Sequence, residues 1–151
     1  DLYGTFPLND KLRKQIISTF KLVLDPKYLC LVFNREEKLI GFGLSWPSLA
    51  DAMQKTKGRA LPFGFIKWLN ALKHPKVMEL GIQAVKKEYR KFGVTGFIIS
   101  KLLARLNAVK DLEYADTGLQ LETNDGAIRS LEMFERELIR KKICYIKKLD
   151  K

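Results

Sequence analysis

At 151 residues and 46% hydrophobic content, the chain has enough apolar mass for one good core, and a single domain over residues 1–151 is expected. No apolar run approaches the length of a bilayer span and no signal-like segment stands at the start, so a transmembrane segment is not expected and the protein is read as cytoplasmic. The net charge of +11 is spread over residues 11–21, 86–91 and 140–151, with no evident base-stacking platform of basic residues interleaved with aromatics, which disfavours nucleic acid as partner and favours a phosphorylated cofactor plus a solvated basic face.

Asn9 or Asp10 is placed to cap a helix whose apolar positions Leu12, Ile16, Ile17, Phe20 and Val23 recur at helical spacing up to Asp25-Pro26. Residues 28–33 and 39–46 then read as a hairpin around the polar turn 34–38. Residues 47–75 form an insertion: a short helix at 48–55, then a second helix started by Pro62 with Phe65, Leu69 and Leu72 on one face, widened by Ile66 and Trp68. This second helix is expected to dock on the core, to cover an acceptor pocket or, with Lys67, Lys73 and Lys76 nearby, to lie on a membrane surface.

Further on, residues 77–85 read as a central strand, 94–109 as a helix, 114–121 as a strand, 126–140 as a helix and 143–149 as a closing strand. The strand–helix–strand over 77–121 predicts a parallel pair with a right-handed crossover. Cys30 and Cys144 fall inside predicted strands without metal-ligand spacing and read as buried, reduced thiols. No metal site is predicted; His74 reads as an exposed loop residue, and Asp116, Glu122 and Asp125 lack a His or Cys partner.

The most informative stretch is Val85-Lys86-Lys87-Glu88-Tyr89-Arg90-Lys91-Phe92-Gly93-Val94-Thr95-Gly96. A strand feeding a basic glycine turn that opens a helix offers unpaired N–H groups and the positive helix end to a phosphate. The spacing R-x-x-G-x-[GAT] at Arg90, Gly93 and Thr95, followed by Asn124-Asp125-Gly126-Ala127-Ile128-Arg129 after a strand, resembles the acyl-CoA pyrophosphate loop and the later helix of the GNAT superfamily of N-acetyltransferases. The two stretches span roughly residues 77–136. With the Ala-Leu-Pro-Phe-Gly-Phe segment at 60–65, the chain looks most like the C-terminal domain of longer, poorly characterised bacterial GNAT-like proteins. A further strand would then be expected before the first helix, and residues 1–8 barely have room for it, so the chain reads as part of a longer protein.

That resemblance implies an α/β fold with a mixed, mostly antiparallel sheet, flanked by helices and splayed between its parallel central strands at the cofactor site. It also implies acetyl-CoA as donor, and a small-molecule or peptide amine as acceptor. The pyrophosphate would lie on Val85, Arg90, Lys91, Phe92, Gly93, Val94 and Thr95, mostly through backbone N–H, and the acetyl group and pantetheine arm along Ile82, Gln83 and Ala84. Gly81 would permit a strand bulge that frees one N–H for the thioester oxygen. Glu79, eleven positions before Arg90, matches the offset of a family glutamate and is the expected general base. Asn124 is either a cofactor contact or simply a helix cap. Leu131 stands where many family members keep a tyrosine acid, so the protonating hydroxyl is missing and Ser130 is a weak substitute. An acyl-CoA-dependent N-acyltransferase is therefore the first expectation, a catalytically inactive GNAT-like interaction domain the second, and a charge-driven nucleic-acid or anionic-surface binder the third.

Overall fold

The computed structural model describes residues 7–145 and Lys147. The chain divides into two compact units, Asp1–Asp116 and Thr117–Lys151. The first holds a four-stranded mixed sheet, β1 (Leu29–Phe33), β2 (Leu39–Pro47), β3 (Val77–Val85) and β4 (Tyr114–Asp116), in the order β1-β2-β3-β4. The first two pairings are antiparallel and β3–β4 is parallel.

Helix α1 (Asp10–Val23) begins where Asn9 Oδ1 accepts the Leu12 N–H at 2.8 Å, satisfying one of the orphan amides of the first turn. It ends before Asp25-Pro26, because a residue preceding proline is driven out of the helical region. Its apolar face is half-buried at Leu12, Ile16 and Phe20, and Phe20 meets Trp46 edge-on with ring centroids 5.5 Å apart. Ile17 is half exposed, and the Val23 side chain lies outside the described residues. The β1–β2 turn is held by Asn34, whose Oδ1 accepts from the N–H of Glu36 and of Lys38.

Parallel strands need a crossover, and α4 (Val94–Leu106) supplies it by lying across the sheet. Its inward side chains Val94, Ile98 and Leu102 pack with Cys30 and Ile40, while Leu106 joins Tyr28 and Met78. The helix sits so close to β2 that a Cβ on Gly43 would stand 2.3 Å from Ile98 Cγ2. The starts of β3 and β4 are tied by Glu113 N–H to Lys76 O (2.8 Å) and by Lys76 Nζ to Glu113 Oε1 (2.7 Å). The Glu113 carboxylate raises the Lys76 pKa above its ordinary 10.5. A raised lysine contributes stability that is complete below 10.5 and fades as pH climbs through the folded value. Lys76→Met should therefore lower the melting temperature slightly at neutral pH, with the difference from wild type shrinking in strong alkali and at high salt; melting series along both axes check this.

The insertion folds as α2 (Ala50–Lys55) and α3 (Gly64–Lys73), joined by Trp68 Nε1 donating to Thr56 Oγ1 at 3.0 Å. The expected inward face is only partly correct. Gly64 is buried and Trp68 and Leu72 are half-buried, whereas Phe65, Ile66 and Leu69 point outward. Helix α3 starts two residues after Pro62, and the Gly64 backbone lies so near Arg59 that its O would stand 1.8 Å from a Cβ at that position.

Three expectations fail toward the C-terminus. The strand predicted at 114–121 stops at Asp116, since Gly118 takes a left-handed conformation (φ 68°) that turns the chain out of extended geometry. The helix predicted at 126–140 is only α5 (Asp125–Ser130), followed by turns. Met133, Leu138 and Ile139 are largely exposed, and a helix without a buried apolar face lacks the tertiary support that most helices need. Cys144, expected buried in a strand, is exposed and outside any strand, while Cys30 is buried as expected. Residues 146 and 148–149 of that predicted strand fall outside the described residues.

Candidate functional site

Strand β3 changes register against β2 at the position expected from its glycine. Gly43 pairs with Gln83 but Ser45 pairs with Leu80, so two steps along β2 face three along β3 and one extra residue is accommodated at Gly81–Ile82. Gly81 is required there for a steric reason: the Trp46 indole covers it, and a Cβ would stand 1.8 Å from the ring. The parallel pairing with β4 covers only Val77↔Tyr114, Met78↔Ala115 and Glu79↔Asp116. Beyond Glu79 the β4 side of β3 has no ladder among the described residues, and Ile82, Gln83 and Ala84 are all exposed.

The hydrogen-bonding direction of that open edge follows from alternation. Lys86 N–H donates to Ile40 O at 2.9 Å, so Ala84 faces β2 as well, and Gln83 and Val85 turn their backbone groups to the open side. Val85 O is taken by Arg90 Nε at 3.1 Å. Arg90, expected to lend charge to a phosphate, thus uses one donor to pin the loop to the strand end and has its remaining guanidinium N–H groups at the surface.

The loop itself differs from the expected row of converging amides. Lys87–Phe92 form a 3-10 turn, in which amides bond back three residues, as Tyr89 N–H does to Lys86 O at 2.9 Å. Arg90, Lys91 and Phe92 therefore spend their amides within the turn. Gly93 then adopts φ 74°, and α4 begins. The first bond inside α4 is Phe97 N–H to Gly93 O, with no side-chain cap, so Val94, Thr95 and Gly96 present amides without helical partners. Val94 and Thr95 belong to the expected stretch, and Gly96 extends it by one residue. Lys86, Lys87 and Lys91 are exposed beside them. Tyr89 anchors the loop by packing against the α4–β2 core and accepting from Asn34 Nδ2 at 3.2 Å.

Comparison of the chain with family models, with curated proteins and with solved structures found no match. The resemblance to GNAT enzymes thus rests on the residues themselves.

Glu79 lies half-buried at the last β3–β4 pair, opposite Asp116. Its Oε2 accepts from Trp46 Nε1 (3.0 Å) and its Oε1 from Ser48 Oγ (2.7 Å). The carboxylate is held in one orientation, with a lone pair on each oxygen remaining. Trp46 and Ser48 are the site residues that sequence reading missed. Their relation to Glu79 depends on β2–β3 register, for which the chain offers no local signal. Asn124 belongs to the second unit, where its Oδ1 accepts from the Ala127 N–H at 3.4 Å as the cap of α5. Glu122 is paired with Lys141 at 2.6 Å, which holds its carboxyl below the usual range, and His74 ends α3 at the surface. Leu131 follows α5 and is half-buried. Among the described residues no group of three or more His, Cys, Asp or Glu side chains is placed to hold a metal ion, and no helix is long and apolar enough to cross a membrane.

Proposed function

We propose that the first unit is a GNAT-like acyltransferase that moves a short acyl group, acetyl in the simplest case, from acyl-CoA to an amine. The observation that carries this reading is the end of the parallel β3–β4 ladder at Glu79, where β4 stops, beside a bulge in β3. Acyl-CoA brings an activated thioester carbonyl; everything else is work for the chain. The N–H groups of Val94, Thr95 and Gly96, with Lys86, Lys87 and Lys91 around them, hold the diphosphate at the positive end of α4. The open-edge backbone of Gln83 and Val85 hydrogen-bonds the pantetheine amides as a neighbouring strand would. An N–H left unpaired at the bulge would hydrogen-bond the thioester oxygen and stabilise charge that develops there. Glu79, next to Asp116, would attract the incoming ammonium and take its proton; the amine then forms the C–N bond as the thioester C–S bond breaks, and CoA leaves as a thiolate that takes its proton from water.

Calorimetric titration with CoA and acetyl-CoA tests the cofactor part: heat below millimolar ligand is expected, and none at millimolar overturns the reading. Gly96→Glu sharpens it. A carboxylate in the first turn suits the helix dipole, and Gly96 has open space around its Cα, so the fold is retained. The same charge repels a diphosphate, and CoA affinity should fall about tenfold.

A second reading, a catalytically inactive GNAT-like binding domain, is favoured by two observations. Leu131 stands at the tyrosine position, and both Glu79 oxygens already accept a hydrogen bond. It predicts CoA binding with no acyl transfer to any amine tried.

A further inference from the structure

The α2–α3 hairpin leaves an apolar surface that the site does not use. Leu61 and Phe63 at its turn, and Phe65, Ile66 and Leu69 on α3, are between 43% and 77% exposed. Residues 65, 66 and 69 share one side of the helix, and the opposite side is fastened through Trp68 to Thr56 and through Gly64 against Arg59. The outward stripe is thus built into a braced hairpin. Scattered exposed apolar side chains are ordinary, but five within nine residues form a patch.

Charge indicates what covers it. Residues 50–76 contain Lys55, Lys57, Arg59, Lys67, Lys73 and Lys76 against Asp51 alone, six positive charges less one negative, or +5. Lys55 is paired with Asp51 and Lys76 with Glu113. Lys57 and Arg59 precede the apolar turn, and Lys73 shares the side of α3 that carries residues 66 and 69, whereas Lys67 lies on the far side; all four are exposed. An apolar face set among cations matches an anionic lipid surface, whose headgroups meet the cations while its acyl boundary takes the aromatic and aliphatic tips. We infer that this hairpin docks the protein peripherally on anionic bilayers, with Leu61, Phe63 and Ile66 entering the interface. The surface acts in this way whether or not the β3–α4 site transfers an acyl group.

Co-sedimentation of the full chain with vesicles tests the inference, comparing phosphatidylcholine alone with an equimolar phosphatidylcholine and phosphatidylglycerol mixture. Binding to the anionic vesicles that weakens with salt is expected. Lys57→Glu with Lys73→Glu should weaken it at least about fivefold per residue changed. Phe63→Ser with Ile66→Ser, both at exposed positions, should weaken it about tenfold while leaving the melting curve unchanged. A Phe63→Trp variant should show a blue-shifted emission increment on anionic vesicles. Equal binding to both vesicles, no binding, or anionic binding that survives the Phe63 and Ile66 changes overturns the inference. Sedimentation showing a dimer that these two changes dissolve, without vesicle binding, assigns the face to a second copy instead and likewise overturns it.

Discussion

Replacing Gly81 with valine should destabilise the first unit by about 1–3 kcal/mol, the usual cost of forcing extra atoms into packed structure. The melting temperature should fall by roughly 3–10 °C. A Cβ there meets the Trp46 ring at 1.8 Å, and the ring cannot simply swing away. Its Nε1 donates to Glu79 and the ring packs against Phe20. Either the indole leaves, breaking both contacts, or β3 straightens. Straightening removes the extra residue and shifts the rest of β3 by one position, which exchanges the sides to which Gln83 and Val85 present their backbone groups. Cofactor affinity should therefore fall together with stability. A double-mutant cycle with Trp46→Ala separates the causes, because the cost of Gly81→Val should at least halve once the ring is gone. Denaturant unfolding of the four proteins is the measurement. An additive cycle would show that the Trp46 contact is not what requires glycine.

Glu79→Gln should lower kcat for acyl transfer by about a hundredfold or more, the range expected when a positioned base is lost. The fold should survive the change. A glutamine can direct its carbonyl oxygen to Trp46 Nε1 and its amide N–H to Ser48 Oγ, which accepts as readily as it donates. CoA affinity should change little, because the proposed diphosphate donors belong to α4. Steady-state kinetics with calorimetry on the same variant therefore distinguish the readings. Lost turnover with retained CoA binding supports Glu79 as base; unchanged turnover assigns it to structure, as the strut that fixes Trp46 over Gly81. A wild-type protein that binds CoA but acetylates none of a broad set of amines leaves the binding-domain reading in place.

Much of the first unit was legible in the chain because its signals are local. Asn9 at helical distance from Leu12, Asp25 before Pro26, and the alternation that makes β1 and β2 each act within a few residues. The bulge at Gly81 was expected from the family resemblance, with glycine as the residue that permits it, and the register shift is there. Of the loop amides expected to be open between Arg90 and Thr95, those of Val94 and Thr95 lack helical partners, and Gly96 joins them. Composition shows a basic glycine turn, yet only the path of the chain shows that 87–92 tighten into a 3-10 turn and leave Val94, Thr95 and Gly96 as the open donors.

The remaining errors share one physical origin. Apolar periodicity at 65–72 and 126–140 marks residues that can be buried, not what will bury them. Trp68 turned inward and Phe65 outward because α3 docks on α2 through one hydrogen bond and one glycine contact. Residues beyond 130 found no buried face and stayed short of a helix. By itself the sequence determined the order of the elements through α5, the caps and the basic loop, all set by short-range sterics and hydrogen bonding. Only the tertiary structure decided register, and with it the Trp46–Glu79–Ser48 contacts, the open edge of β3 and the outward apolar face of α3. Those features depend on which distant segments meet, and chain-local energetics do not encode that choice.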